Sequence, residues 1–433
     1  MRTVGNGPVL VVLALVTTTI AGCTAASPAA EECTLPTAST TPTLPAPSGP
    51  AYAGPAHDTE FRPWTTLVDE VPLPVAGDDH LGPLAPAPDG GLSALLQSGN
   101  PDELRQRLLE LRPTWGGPSV VAAVDVPVDL PHDLHALPDG RIVVVGALSS
   151  DGRLLDVPDL GIAVLDPATG RFDTTVVVPS ERGAVADDVP SSSALSPDGR
   201  LLYMAASVVS DRDGTSGRGL FAIDPSSGEI LAKRDLGPDV AGLVPLPERA
   251  ALDALSAGPS GVAVVFRSEV GGCESGYGAA VLQRYTPALE QDGPPVELAG
   301  PSPDTYTGDL LSANDGALFV ARTSYDGDLT LLALHGEGTR VTELGRWESQ
   351  AVARVDERTA VLLDLDGVRS VDLTGEEEDV VVPIPCLDGT PVDPDSSEAW
   401  TGITDLVVTG DHAVALGVCD PDDPTARLWV LGP

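Results

Sequence analysis

Basic side chains are scarce in this chain. Of its 433 residues 24 are Lys or Arg, and Lys233 is the only Lys, against 64 Asp and Glu, for a formal net charge of −40. Binding a phosphate backbone requires a basic footprint, so this balance excludes nucleic acid as a partner. It also excludes docking on anionic lipid by charge. Long apolar runs are missing too: past residue 20 no stretch reaches the roughly 18 apolar residues of a membrane span. There is no CxxC, which excludes a zinc ribbon and a thioredoxin-type site. GxSxG, HExxH, a Walker loop and GxGxxG after a strand are all absent, so no nucleophile–base set or nucleotide loop announces an enzyme. Gly and Pro are abundant, at 46 and 42, yet 42% of residues are apolar, enough to build a core and to exclude wholesale disorder.

The N-terminus reads as an address. Arg2 is the only charge before Glu31, and residues 8–20 are mostly apolar, which fits a secretory h-region. Ile20-Ala21-Gly22-Cys23 follows at once and resembles the bacterial lipobox. The resemblance implies cleavage before Cys23 and a diacylglycerol on its thiol; the competing reading is an ordinary signal peptide with an incidental Cys. The expected organisation is therefore a lipoprotein signal peptide at 1–22 and a lipidated Cys23 opening a tether at 23–59. The body occupies 60–433. The tether is rich in Ala, Pro, Ser and Thr and cannot bury enough apolar surface to order itself. In polyproline form it would reach at most about 110 Å. Four further cysteines remain, Cys33, Cys273, Cys386 and Cys419. An even number in an exported chain suggests two disulfides. Cys386–Cys419 is favoured because both fall near the last repeats, which leaves Cys33–Cys273 by elimination; free thiols compete with both.

The body repeats. LHALPDGRIVVVGA and SALSPDGRLLYMAAS each place a Pro-Asp-Gly turn between two apolar runs, at Asp139-Gly140 and Asp198-Gly199. Each is followed by a second hairpin, LDPATGRF with Asp166 and IDPSSGEI with Asp224, so one unit holds four strands. Weaker copies turn at Asp89, Ser260, Asp315, Asp356 and Asp411, with a mean spacing of about 54 residues. Four strands per 40–60 residues is the signature of a β-propeller. Residues 65–91 align without gaps to 174–200, matching Thr65 to Thr174 and Asp78-Asp79 to Asp187-Asp188. Trp64–Val71 then reads as an outer strand whose blade lies elsewhere, and the terminal ARLWVLGP as a third strand lacking a fourth. Pairing the two would close the ring and remove an exposed edge. The expected fold is all-β, a propeller of seven four-stranded blades, with six as the alternative. A helical insertion is expected near 100–112, where Asn100, Pro101 and Glu103 suit a helix start and Leu104, Leu108 and Leu111 form one stripe. The six-bladed alternative makes 60–114 a separate helical cap.

These units resemble the repeats of bacterial YVTN-type and PQQ-type propellers, relatives of WD-repeat rings. The resemblance covers most of 60–433, is carried chiefly by two units, and implies fold rather than activity. The pairing of lipobox and propeller resembles lipid-anchored envelope proteins, outer-membrane assembly scaffolds among them. A quinoprotein dehydrogenase would be expected to follow each D-x-x-T-G with Trp. Phe172 and Ile230 stand there instead, a departure that counts against quinone.

Candidate site residues are few. His132, Asp133 and His135 lie where the resembling repeats open an innermost strand at the channel mouth, and the aligned positions are Ser191, Asp253, Asp309 and Thr404. Alternate residues of a strand face opposite sides, so His132 and His135 cannot both point at one ion from an ideal strand. A ligand or metal site on His132 and Asp133 competes with a hydrogen-bonded structural pair, which is favoured. Asp211 and Asp213 precede a Gly as in a calcium loop, but an EF-hand's twelfth position is Ala222 here, and turn chemistry explains the Asp-Gly pattern better. Asp326–Asp328 and Asp364–Asp366 repeat that theme. Calcium is thus the one cofactor considered, and otherwise none is expected. The run Glu376–Asp379 reads as a solvated loop or a basic partner's landing site. GGCESGYG around Cys273 reads as a loop. The leading functional expectation is a monomeric, non-enzymatic scaffold. It would bind an envelope protein and touch the membrane through its lipid only. The alternative is a small-molecule binder or lactonase-like hydrolase at the channel mouth.

Overall fold

A computed structural model describes residues 60–73, 80–86, 91–98, 105–114, 117–148, 159–178, 192–209, 216–239, 250–269, 277–299, 305–312, 318–324, 328–335, 340–356, 358–364, 367–384, 402–409, 412–420 and 423–433. Four antiparallel strands form the recurring unit. The first is β2 (His80–Pro86), β3 (Leu92–Ser98), β4 (Arg105–Thr114) and β5 (Gly117–Asp125). It is followed by β6 (Val128–Ala136), β7 (Ile142–Leu148), β8 (Leu160–Asp166) and β9 (Arg171–Val178). The next two sheets are β10 (Ser192–Leu195), β11 (Leu202–Val209), β12 (Ser216–Asp224) and β13 (Glu229–Asp235), then β14 (Ala250–Gly258), β15 (Gly261–Glu269), β16 (Tyr277–Tyr285) and β17 (Val296–Ala299). A seven-stranded sheet runs β18 (Thr305–Ser312), β19 (Leu318–Ser324), β20 (Asp328–His335), β21 (Arg340–Arg354), β22 (Thr359–Asp364), β23 (Gly367–Asp372) and β24 (Val380–Pro383). Last come β25 (Gly402–Thr409), β26 (His412–Asp420) and β27 (Asp423–Gly432), completed by β1 (Thr66–Pro72). The fold is an all-β propeller. Among the described residues no helix is long and apolar enough to cross a membrane.

By sheets the propeller has six blades. The seven-stranded sheet nevertheless contains two four-stranded ladders end to end. Arg340–Glu348 of β21 pairs with β20, and Ser349–Arg354 of the same strand pairs with β22. The cause is chain length. The turn positions 315 and 356 are the most closely spaced in the sequence, so an outer strand runs straight into the next inner one. Each turn position read from the sequence separates the first and second strands of a ladder.

Strand β7 shows why the apolar runs are continuous rather than alternating. Val143 and Val145 pack with Leu202 and Met204 of the next sheet, whereas Ile142 and Val144 pack with Leu95 and Leu108 of the previous one. Both faces of each blade are covered by neighbours, so no polar face is needed. The ring closes as the alignment suggested. Strand β1 pairs with β27 from Thr66↔Gly432 to Pro72↔Arg427, and Arg427 meets Glu70 across the seam. Leu84 and Leu92 of the first sheet then pack with Val414 and Leu428 of the last.

The helical insertion is not there: the described part of that segment, Arg105–Thr114, is strand β4. Leu109 pairs opposite Ala94 and packs with Leu111 toward the last sheet, while Leu108 packs the other way, against Leu95 and Val126. A blade buried on both faces wants apolar neighbours in succession, and a Leu-rich strand of that kind also satisfies a helical stripe. Tertiary pairing overrides propensity here.

Candidate functional site

Strand β6 is innermost in its blade, and its ladder passes from Pro131↔Gly146 to Asp133↔Val145, leaving His132 as a bulge. Beyond the bulge Asp133 and His135 fall on one face. That face meets the first strand of the next blade. Asp133 Oδ2 accepts hydrogen bonds from the Ser193 backbone N (2.7 Å) and from Ser193 Oγ (2.8 Å). His135 Nε2 lies 2.7 Å from the same Oγ. Because the single hydroxyl proton goes to the carboxylate, Oγ must accept from His135, which therefore carries its proton on Nε2. Burial pushes the His135 pKa down, with Asp133 only partly offsetting it, which favours the neutral ring. Burial lowers His132 in the same way.

The proton order decides the chemistry. A nucleophilic serine gives its proton to a histidine that a carboxylate orients. Here the carboxylate touches the serine, so Ser193 Oγ is held as a donor and is not activated. The trio is an interblade clamp. It joins Asp133 to Ser193 and His135 rather than to His132, and Ser191 lies outside the described residues. Sequence reading missed Ser193 because three serines stand in a row at 191–193, and nothing local chooses among them.

The other aligned positions do share a structural feature. Register skips fall at Asp253 in β14, at Gly308-Asp309 in β18, at Thr404 in β25, at Gln350 in β21 and at Gly82-Pro83 in β2. The inner strands neighbour one another around the ring, and each skip stands six or seven residues before its turn. Bulges of this kind bend a strand and re-aim a side chain. Among the described residues no three His, Cys, Asp or Glu come together as a metal site would require. Asp211 and Asp213 lie outside the described residues, as do Cys23, Cys33, Cys273 and Cys386; Cys419 falls in β26.

The recurring aspartates serve turns. Asp166 accepts from the Ala168 N and the Thr169 hydroxyl, Asp224 from Ser226 and Ser227, and Asp372 from the Thr374 N and hydroxyl. Each is a side chain closing its own hairpin. The acidic run is partly used as well. The backbone N–H groups of Glu376 and Glu377 donate to Asp372, and Asp379 accepts from the Trp347 indole. Asp372 also binds Arg358 through Nε (2.9 Å) and Nη2 (2.8 Å). Burial pushes this carboxyl up, but Arg358 and the Thr374 and Glu377 donors outweigh it and hold it far below the usual carboxylate range.

Sheets closed by a terminal strand define the class, a β-propeller. No protein-family model matches the chain, and no curated protein matches it. Among solved structures it is similar to an acylaminoacyl peptidase of Pyrococcus horikoshii, at 10% identity over 78% of this chain and 49% of that one, TM-score 0.48. This chain spans about half the length of that peptidase. It is also similar to the propeller domain of the Trilobed protease from Pyrococcus furiosus, at 11% identity, 82% and 94% coverage and TM-score 0.47. A third is Chaetomium thermophilum Sqt1 bound to the N-terminus of ribosomal protein L10, at 14% identity, 85% and 100% coverage and TM-score 0.47. These likenesses concern the fold alone.

Proposed function

We propose that the chain is a lipid-anchored, extracytoplasmic propeller that binds an envelope protein without catalysing a reaction, a relative of YVTN- and PQQ-type repeat proteins. The observation that carries this reading is the wiring of Ser193. The place where Asp, Ser and His meet is ordered as a clamp, with the serine hydroxyl donating to Asp133, an arrangement that supports rigidity. A rigid ring presents broad faces for partners, and two or more acyl chains on Cys23 would hold it at a membrane. Crosslinking on intact cells followed by mass spectrometry tests the reading, with Cys23→Ser as control. One envelope protein enriched only with the anchored form is expected; equal enrichment with the control, or none, would overturn it.

The repeated bulges favour a second reading, a small polar ligand at the channel mouth near His132, Asp253 and Asp309. Under it, His132→Ala abolishes ligand binding while the melting temperature stays unchanged. Unaltered binding removes it.

A further inference from the structure

Among the described innermost strands β10 is the shortest. It has 4 residues, where β6 and β14 have 9 and β18 and β25 have 8. Ladder pairs from Ser192↔Ala205 to Leu195↔Leu202 join it to β11. Its trailing end enters a turn closed by Ser196, whose carbonyl accepts from the Gly199 N–H and whose hydroxyl donates to Asp198 (2.7 Å). Its leading end is tied sideways to β6. Ser193 donates to Asp133 from its N–H and its hydroxyl and accepts from His135. That tie is wired for a neutral imidazole, which donates from Nε2 and leaves the serine hydroxyl to the carboxylate.

Asp133 is the charged group that acts on His135. Leu134 packs on Leu95 and Leu108 of the preceding blade, so Asp133 and His135 face away from that blade. The titratable residues of its packed strands, His80 of β2 and Arg105, Arg107, Glu110 and Arg112 of β4, therefore belong to the other side of β6. Strands β3, β7 and β10 carry no charged residue. Tyr203 of β11, opposite Ala194, packs toward the following blade. On β6 itself Asp129 and the bulged His132 complete the set. A second proton on His135 would sit at Nδ1, where none of the described residues accepts. Burial opposes that charge while the seam is closed. An open seam hydrates it, so protons favour opening. Releasing β10 gives up less ladder than releasing any longer inner strand.

We propose that the Asp133–Ser193–His135 clamp is a proton-operated latch: a proton taken up by His135 releases the leading end of β10 from β6 while the other inner strands stay closed. The ring is then rigid at neutral pH and locally open in acid, at one blade junction. This is a local event, distinct from the loss of the whole fold, and it does not depend on how the chain is anchored or on what it binds.

The test is hydrogen exchange of the full chain in detergent, read by mass spectrometry at pH 7.5 and pH 5.5 and corrected for intrinsic exchange rates. Both values lie above the ordinary carboxylate range, so His is the side chain that titrates between them. One proton shifts an equilibrium by at most about ten-fold per pH unit, and the shift begins near pH 6.5. Protection of Ser192–Leu195 should therefore fall by up to about ten-fold, while β14 and β25 keep theirs. His135→Gln keeps a donor for Ser193 and does not titrate, so it should hold β10 closed at both pH values. His132→Gln should leave the response intact. A change in β10 under about two-fold overturns the proposal, as does an equal loss in every inner strand, which would be global unfolding. A response that survives in His135→Gln, or vanishes in His132→Gln, overturns it too. Should His135→Gln prove open at both pH values, a finer pH series of the parent decides: a loss that follows one proton supports the latch, and a flat series overturns it.

Discussion

Replacing Asp372 with Ala should be among the most damaging single changes in the last third of the chain. The carboxylate is 4% exposed and accepts from both Arg358 and the backbone of Thr374, Glu376 and Glu377. Its removal takes the buried carboxylate from Arg358, leaving the more exposed Glu376 at 3.4 Å beside the guanidinium, and releases a hairpin at once. Breaking a buried ion pair from one side costs about 3–5 kcal/mol. Unfolding entropy of about 2.1 cal/mol/K per residue makes 1 kcal/mol worth roughly 1.3 °C for a body this size, so Tm should fall by about 4–6 °C. The effect has a pH signature. The folded pKa lies below the unfolded value, so the stabilisation is present above pH about 4 and is lost as pH falls toward the depressed folded pKa. Differential scanning calorimetry of the parent and Asp372→Asn from pH 7 to pH 2 should show a Tm gap that is constant to about pH 5 and narrows below it. A gap under 1 °C at pH 7, or one that widens on acidification, would refute the reasoning.

Ser193→Ala should cost about 1–3 kcal/mol by removing the hydroxyl that Asp133 and His135 share, while Asp133 keeps the backbone N–H of residue 193; urea unfolding reads it. Gly228→Ala should cost more than Gly170→Ala. Both glycines have positive φ, at 72° and 64°, but only at 228 would a Cβ meet another blade, 2.1 Å from Thr175 Oγ1. The expected losses are about 2–3 and 1 kcal/mol, and equal losses would deny the interblade contact. Because burial lowers the folded pKa of His135, protons favour the unfolded chain, and stability should decline as pH falls below about 6.5. His135→Gln should flatten that decline in a pH series of Tm.

Blade architecture was legible because turns are local. A Pro-Asp-Gly turn needs its aspartate and a glycine able to take φ near +69°, as Gly199 does, and the motif therefore survives in sequence. Seam closure was legible for a similar reason: an outer strand without a blade and a blade without an outer strand are both visible on paper. The segment around Leu108 misled because its apolar spacing fits a helix and a doubly buried strand equally, and only its pairing with β3 decides. The Ser193 clamp was out of reach, since it joins residues 58 and 60 positions apart through interblade register.

The same logic says where specific function should be sought. Features that recur in each repeat are consumed by architecture. The hairpin aspartates close their own turns, Pro138 packs so tightly on Gly199 that a Cβ would lie 2.3 Å from its ring, and Arg141 ties two blades. A residue carrying the repeat's identity without the repeat's partner has been released from that duty. Arg200 is such a residue in charge, its side chain 85% exposed where that of Arg141 is 25% exposed, and Leu231 is one in exposure, at 54%. Both departures fall at one blade junction and border one cleft. A ring whose repeated features are used up by its own turns and seams leaves such departures as the places where a specific role is to be tested.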